Sequence, residues 1–308
     1  MAKTWSITKA VIPVAGKASR HFPASAVLPK GLFPLVDADG VTRATIHIIL
    51  RYARQGGIEQ VALVVSPGQE EAFRRYFTRH EDALAGGLGP QAMAEARDIV
   101  ELAGRITYIT QAAPAGLGHA VWCAKSFVAG QPFLVMLGDY VYSNCSPGAD
   151  NAQENGVRQL RTAFDACKGV SVTGVRTSPA SEIDLCGTLG CDLADGPMYR
   201  VRDIVEKPSL DVARTRLSTE GLGPDEFLTH AGLYAFAPAI FDALEQVMQA
   251  RQAEAGEVQL TDAQRILLNS GEPCYALCIA HVPLDMGTPA GLARTQSLLS
   301  RAGTEENH

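Results

Sequence analysis

The apolar positions of this 308-residue chain follow two alternating periods through its first half. Residues 7–14 (ITKAVIPV) form a short, mostly apolar run of buried-strand length, and residues 60–66 (QVALVVS) form another. Between them, Ile46, Ile49, Leu50 and Ala53 recur at i, i+3, i+4 and i+7, a helical stripe that begins near Thr45 and stops at Gly56-Gly57. Phe73, Tyr76 and Phe77 mark a second amphipathic helix, and this β-α-β-α order predicts a parallel sheet with helices on its faces. After a glycine-rich break at 86–90, the pattern predicts a helix over 91–103, a strand over 105–110 and a helix over 116–128. The next strand, 132–139 (PFLVMLGD), is apolar on both faces and ends on a carboxylate, which places it near the sheet centre.

Beyond Asp139 the strands shorten. A helix is expected over 157–167, then strands over 169–176, 188–193 and 199–206, the last two joined by a turn at Asp195-Gly196. A loop carrying Gly221, Gly223 and Pro224 leads into a strand over 229–236. Helices follow over 238–249, opened by a proline, and over 261–269, with Thr261 as its cap. A strand over 274–282 and a helix over 289–300 close the chain, and 304–308 reads as a frayed tail. No internal repeat or low-complexity segment interrupts this order.

Composition narrows the function. With 46% hydrophobic and 19% charged residues the chain buries a substantial core. A net charge of -6 argues against nucleic acid as a partner, so any positive charge at a ligand site must be local. No apolar run reaches the ~18 residues of a membrane span, and the first residues enter a strand without a signal-peptide core. Seven cysteines, none in a CxxC pair, read as reduced thiols in a cytoplasmic protein.

The chemistry concentrates at strand ends. Residues 10–34 (AVIPVAGKASRHFPASAVLPKGLFP) run from the first strand into a loop where Gly16 permits close backbone approach and Arg20 and Lys30 supply charge, a combination suited to phosphate. The loop is neither a Walker loop nor a GxGxxG turn. Asp139, ending a buried strand, is suited to Mg²⁺ and equally suited to capping a turn. Lys207, in Glu206-Lys207-Pro208, is placed to hold an anion or to face solvent. Asp285, in LDMGTP, is a second metal carboxylate or a helix-entry residue.

Together these blocks resemble the signature of bacterial UTP–glucose-1-phosphate uridylyltransferases and, more broadly, sugar-nucleotide pyrophosphorylases. The loop AGKASRHFPASAVLPKGLFP is similar to their AGxGTRxxPxTxxxPKxxLP. QAAPAGLGHAV from Gln111, LGD at 137–139, VEKP at 205–208, HAGLYAF at 230–236, GEVQLTDA at 256–263 and LDMGT at 284–288 follow in the family's order. The resemblance implies an α/β, Rossmann-like nucleotidyltransferase fold, with a mixed, mostly parallel sheet flanked by helices and a β-rich sugar-binding portion. It implies one domain over 1–303, with a nucleotide half (1–140), a sugar-phosphate half (141–288) and a C-terminal helix (289–303), then a flexible tail (304–308). The implied reaction joins a nucleoside triphosphate, UTP, to a sugar 1-phosphate, glucose 1-phosphate, releasing pyrophosphate. By the same resemblance Arg20 and Lys30 hold the triphosphate and Lys207 grips the sugar phosphate. Asp139 and Asp285 bind Mg²⁺, while Ala15, Gly16, Gln111 and Gly116 read the nucleotide. Glu206, Gly187 and Gly232 meet the sugar. A homodimer or homotetramer is expected.

The chain also departs from the family pattern. Lys17-Ala18-Ser19 removes a glycine from the opening loop, which is expected to change its path because Ala resists positive φ. Tyr140 replaces a second Asp, Cys186-Gly187 replaces a Tyr-Gly pair, and Gly31 follows Lys30 in place of Glu. Two further readings accompany these changes: a specialised relative taking another NTP or another sugar or cyclitol 1-phosphate, and a catalytically weak regulator that binds NDP-sugar. His119 is expected to be structural or a nucleotide contact rather than a base, and Trp5 and Trp122 to be packing residues.

Overall fold

A computed structural model describes residues 5–78, 89–142, 155–194, 196–251, 256–279 and 283–305. The expected turn residue Asp195, the glycines at 86 and 87, and the end of the strand expected to reach 282 lie outside the described residues. In chain order the structure runs β1 (Lys9–Pro13), β2 (Pro34–Val36), β3 (Thr42–Ala44), α1 (Thr45–Gln55), β4 (Gln60–Val65), α2 (Glu70–Thr78), α3 (Pro90–Ala103) and β5 (Ile106–Thr110). It continues through α4 (Leu117–Cys123), α5 (Lys125–Val128), β6 (Phe133–Met136), β7 (Tyr140–Val141), α6 (Gly156–Ala166) and β8 (Val172–Pro179). Then come β9 (Gly187–Leu193), β10 (Met198–Glu206), α7 (Leu210–Arg216), β11 (Glu226–Phe236), α8 (Ile240–Arg251), α9 (Leu260–Asn269), β12 (Tyr275–Cys278), β13 (Leu284–Asp285) and α10 (Pro289–Glu305).

One mixed, nine-stranded sheet in the order β5-β4-β1-β6-β11-β8-β12-β10-β9 runs through the molecule. Its first four strands are parallel, as the βα repeats of the first half require, and β11 then joins β6 antiparallel. β6 is thus interior to the sheet, with all four of its side chains buried. Period-2 alternation divides the core. Leu63, Val65, Leu134 and Met136 face one layer with Ile46, Phe73 and Phe164, while Ala62, Val64, Phe133 and Val135 face the other with Val121, Phe241 and Leu244. Helices cover both faces because both faces are apolar. Arg43, only 2% exposed at its side chain, ties this layer together through Asp37, Asp39 and Glu95 at 2.5–2.8 Å.

Several elements differ from expectation for local reasons. The helix expected over 116–128 breaks at Ala124 into α4 and α5. The strand expected at 169–176 begins later and extends to Pro179, because Gly169 takes φ 85° in the turn after α6. The residue capping α9 is Gln259, not Thr261, which lies inside the helix with its side chain buried. α10 continues to Glu305, so the tail expected from 304 begins within a helix. Two small pairings had no sequence sign: the β2-β3 ribbon and the β7-β13 pair.

Candidate active site

The site is assembled at the carboxyl ends of β1 and β6, where open α/β sheets expose ligand-binding crevices. After β1 the chain turns through Val14 and Ala15. The Ser66 hydroxyl at the end of β4 donates to the Ala15 carbonyl and fixes the loop's first turn. Gly138, after β6, lies against this turn so closely that a Cβ there would stand 2.5 Å from Val14 Cγ1 and 2.6 Å from the Pro13 carbonyl oxygen. Only glycine lets the two strand ends meet, and it delivers Asp139 beside the loop. Lys30 Nζ lies 2.8 Å from Asp139 Oδ2.

Asp139 and Asp285 are brought together by the β7-β13 pair, in which Asp285 opposes Tyr140 and the Met286 amide donates to the Asp139 carbonyl (2.8 Å). A Cβ built on Gly287 would lie 2.9 Å from Asp285 Oδ1 and 3.8 Å from Asp139 Oδ2, so the two carboxylates face a common space. Two hard oxygen groups with that space open between them fit a Mg²⁺ ion that takes its remaining ligands from phosphate and water. His21 pins the opening loop to the same segment: its Nε2 lies 2.9 Å from the Met286 carbonyl, which only accepts, so the proton sits on Nε2. Arg20, next to His21, is exposed, with no ion-pair partner among the described residues.

Two adjoining cavities result, sharing Leu117, Leu137 and Asp139 as a common wall. The larger, about 520 Å³, is lined by Ala15, Gly16, Lys17, Lys30, Gln111, Gly116 and Glu257 among others. The smaller, about 230 Å³, is lined by Arg20, Tyr140, Cys186, Gly187, Glu206, Lys207, His230, Gly232, Thr261 and Asp285 among others. Every site residue expected from the sequence lines one cavity or the other. Arg20 lines the smaller one and Lys30 the larger, whereas the resemblance implies that both hold the triphosphate.

The larger cavity has an open floor at Gly16, where a Cβ would meet nothing within 4 Å. Ala18 takes the left-handed conformation, φ 47° and ψ 38°, although it carries a Cβ. Gln111 is buried, and its Nε2 donates to the Gly116 carbonyl and to His119 Nδ1, both at 3.0 Å. His119 accepts from Gln111 and stacks on Trp122. The segment before α9 docks here, Val258 exchanging backbone hydrogen bonds with Ala115 (2.7 Å) and Gly118 (2.8 Å).

In the smaller cavity Lys207 occupies the left-handed region, φ 46°, held by its amide to the Cys186 carbonyl at 3.2 Å. Strain of this kind in a non-glycine residue marks a position fixed by its surroundings. Burial raises the Glu206 carboxyl above its ordinary value, and the Thr261 hydroxyl and the Lys207 charge draw it back in part. Burial, followed by the charges of Asp285 and Asp139, pushes the Tyr140 phenol well up. A bulge in β11 between His230 and Tyr234 turns Gly232 to φ 74°, with Tyr140 ring atoms 3.3 Å from where its Cβ would be. His230 and Thr261 were not expected in the site. A histidine opening the otherwise apolar run HAGLYAF was the available signal for the first.

A second cluster, His47 with Glu95 and Asp98, groups potential metal ligands away from these cavities. Arg43, Arg51 and Arg54 already occupy its carboxylates, so it is an ion-pair network that joins α1 to α3.

Sheet order, strand-end carboxylates and a glycine-led basic loop define a nucleotidyltransferase, and the chain belongs to the nucleotidyl transferase family, whose model matches residues 9–301. Among its relatives are the UTP–glucose-1-phosphate uridylyltransferase of Bacillus subtilis, 31% identical over 94% of this chain and 89% of that protein, and a namesake from Staphylococcus epidermidis, 31% identical over 94% and 91%. The solved structure of UTP-bound UGPase from Acinetobacter baumannii is 27% identical, with a TM-score of 0.77 over 98% of this chain and 97% of that one.

Proposed function

We propose that this nucleotidyltransferase joins UTP to glucose 1-phosphate, giving UDP-glucose and pyrophosphate. The observation that carries the reading is the pair of cavities meeting at Asp139, one with a basic, glycine-floored loop and the other with Lys207, Arg20 and Glu206. The triphosphate occupies the larger cavity, its base toward Gln111 and Gly116 and its β- and γ-phosphates toward Gly16, Lys17 and Lys30. The sugar 1-phosphate occupies the smaller, its phosphate between Lys207 and Arg20 and its hydroxyls toward Glu206.

A phosphate oxygen of the sugar 1-phosphate attacks the α-phosphorus, and the bond to the β-phosphate breaks so that pyrophosphate leaves with the electron pair. The nucleophile is already ionised, so the site needs charge and alignment rather than a base. Asp139 and Asp285 would hold Mg²⁺, whose charge offsets the repulsion between the two phosphates. Lys30 and Lys17 neutralise the departing pyrophosphate, and the fixed backbone of Lys207 aims its ammonium at the sugar phosphate.

The test is pyrophosphate release with Mg²⁺, each common NTP and a panel of sugar 1-phosphates. Turnover fastest with UTP and glucose 1-phosphate supports the reading. Turnover confined to another pair replaces the substrates, and NDP-sugar binding without turnover replaces the enzyme with a regulator. The same assay on Asp139→Asn checks the metal assignment, which undiminished activity would overturn.

A further inference from the structure

The inner wall of the smaller cavity holds a group that the reaction above does not use. His230 is 4% exposed, and its Nε2 is buried with no hydrogen-bond partner among the described residues. A neutral imidazole carries one N–H donor and one acceptor, and burying either unmatched is costly. The ring stands against Gly187: a Cβ there would lie 2.5 Å from His230 Nδ1, 2.9 Å from Thr261 Cγ2 and 3.1 Å from Glu206 Oε2. Glu206, Thr261 and His230 therefore converge on one corner of the cavity. Tyr234 packs edge-on against the imidazole at 5.0 Å and holds its plane. The bulge that sets Gly232 begins at His230, so the same local irregularity places both residues in the cavity wall.

We propose that His230 is a specificity-determining residue, hydrogen-bonding a ring hydroxyl of the sugar 1-phosphate that also meets Glu206. The inference rests on the nucleotidyltransferase reading and deepens it. The corner offers an acceptor carboxylate, a hydroxyl and an uncharged imidazole, and the cavity's cations, Arg20 and Lys207, are assigned to the phosphate. It thus selects an uncharged polyhydroxylated ring and disfavours a sugar carrying a carboxylate. Burial holds the imidazole neutral, with its pKa lowered to about 3, so it pairs with a hydroxyl without becoming a charge.

The test uses glucose 1-phosphate and its 2-, 3-, 4- and 6-deoxy derivatives with wild type, His230→Leu and His230→Gln. Wild type is expected to disfavour one deoxy derivative by roughly 10–100-fold in kcat/KM. In His230→Leu that discrimination should collapse and the KM for glucose 1-phosphate should rise by about the same factor, while the KM for UTP stays within twofold. His230→Gln, which keeps a polar group, should recover part of the discrimination. UTP binding by calorimetry checks that each variant is folded, and if His230→Leu does not fold, the Gln variant carries the comparison. Unchanged discrimination in the folded variants, or no discrimination among the deoxy sugars by wild type, overturns the inference alone. Absence of nucleotidyl transfer by wild type with any sugar 1-phosphate overturns the underlying reading as well.

Discussion

His230 makes the fold acid-sensitive by an amount that follows from its burial. In the unfolded chain its imidazole titrates near ~6.5. In the folded protein burial lowers the pKa to about 3. Below the unfolded value the unfolded state therefore binds a proton that the folded state refuses, and stability is lost as pH falls. The contribution is negligible at pH 8, ~0.8 kcal/mol of lost stability at pH 6 and ~2 kcal/mol at pH 5, at ~1.36 kcal/mol per pKa unit. Other groups titrate in this range too. Glu206 works in the opposite direction, because its raised carboxyl is relieved by protonation, whereas Asp98 is held at about 2 by His47 and Arg54 against its own burial and stays ionised.

A double difference isolates the imidazole. Urea unfolding of wild type and His230→Gln at pH 8, 6 and 5 should show wild type losing about 2 kcal/mol more than the variant between pH 8 and pH 5. Glu206 and every other group titrate in both proteins and cancel. Equal losses in the two proteins would mean that the imidazole is protonated in the folded state, and the burial argument for His230 would be wrong.

Other predictions follow from single positions. Ala18→Gly relieves the left-handed alanine, a gain of ~1–2 kcal/mol less the ~0.4–1 kcal/mol that glycine adds to unfolded-chain entropy, so its urea midpoint should rise by the equivalent of about 1 kcal/mol. Gly138→Ala forces a methyl into Val14 and the Pro13 carbonyl and should cost roughly 1–3 kcal/mol in the same assay while lowering kcat, because Asp139 moves with the strand end. Lys207→Met should raise the KM for glucose 1-phosphate about 10–100-fold without altering the KM for UTP, the loss of one charge-assisted hydrogen bond. Arg43→Met leaves three carboxylates beside a buried apolar side chain and should cost about 3–5 kcal/mol of stability, read by urea unfolding.

What the sequence carried, and what it withheld, follows from how far each signal reaches along the chain. α1 was legible because Ile46, Ile49, Leu50 and Ala53 share one buried face, and β6 because an all-apolar run fits only a strand covered on both sides. The residues that line the two cavities could be named because they sit in blocks at strand ends, where local order is strongest. The β7-β13 pair was not legible: four residues have no periodicity, and what joins Asp139 to Asp285 is a register between segments some 145 positions apart. The left-handed backbone of Ala18 was not legible for a related reason. Intrinsic preference opposes its conformation by only ~1–2 kcal/mol, and contacts distant in sequence anchor the loop on either side, Ser66 on Ala15 and His21 on Met286. His230 escaped because alternation assigns a strand residue to a face and a bulge revokes the assignment. Where β11 bends at its bulge, periodicity fails, and the residue it misplaces is one that lines the smaller cavity.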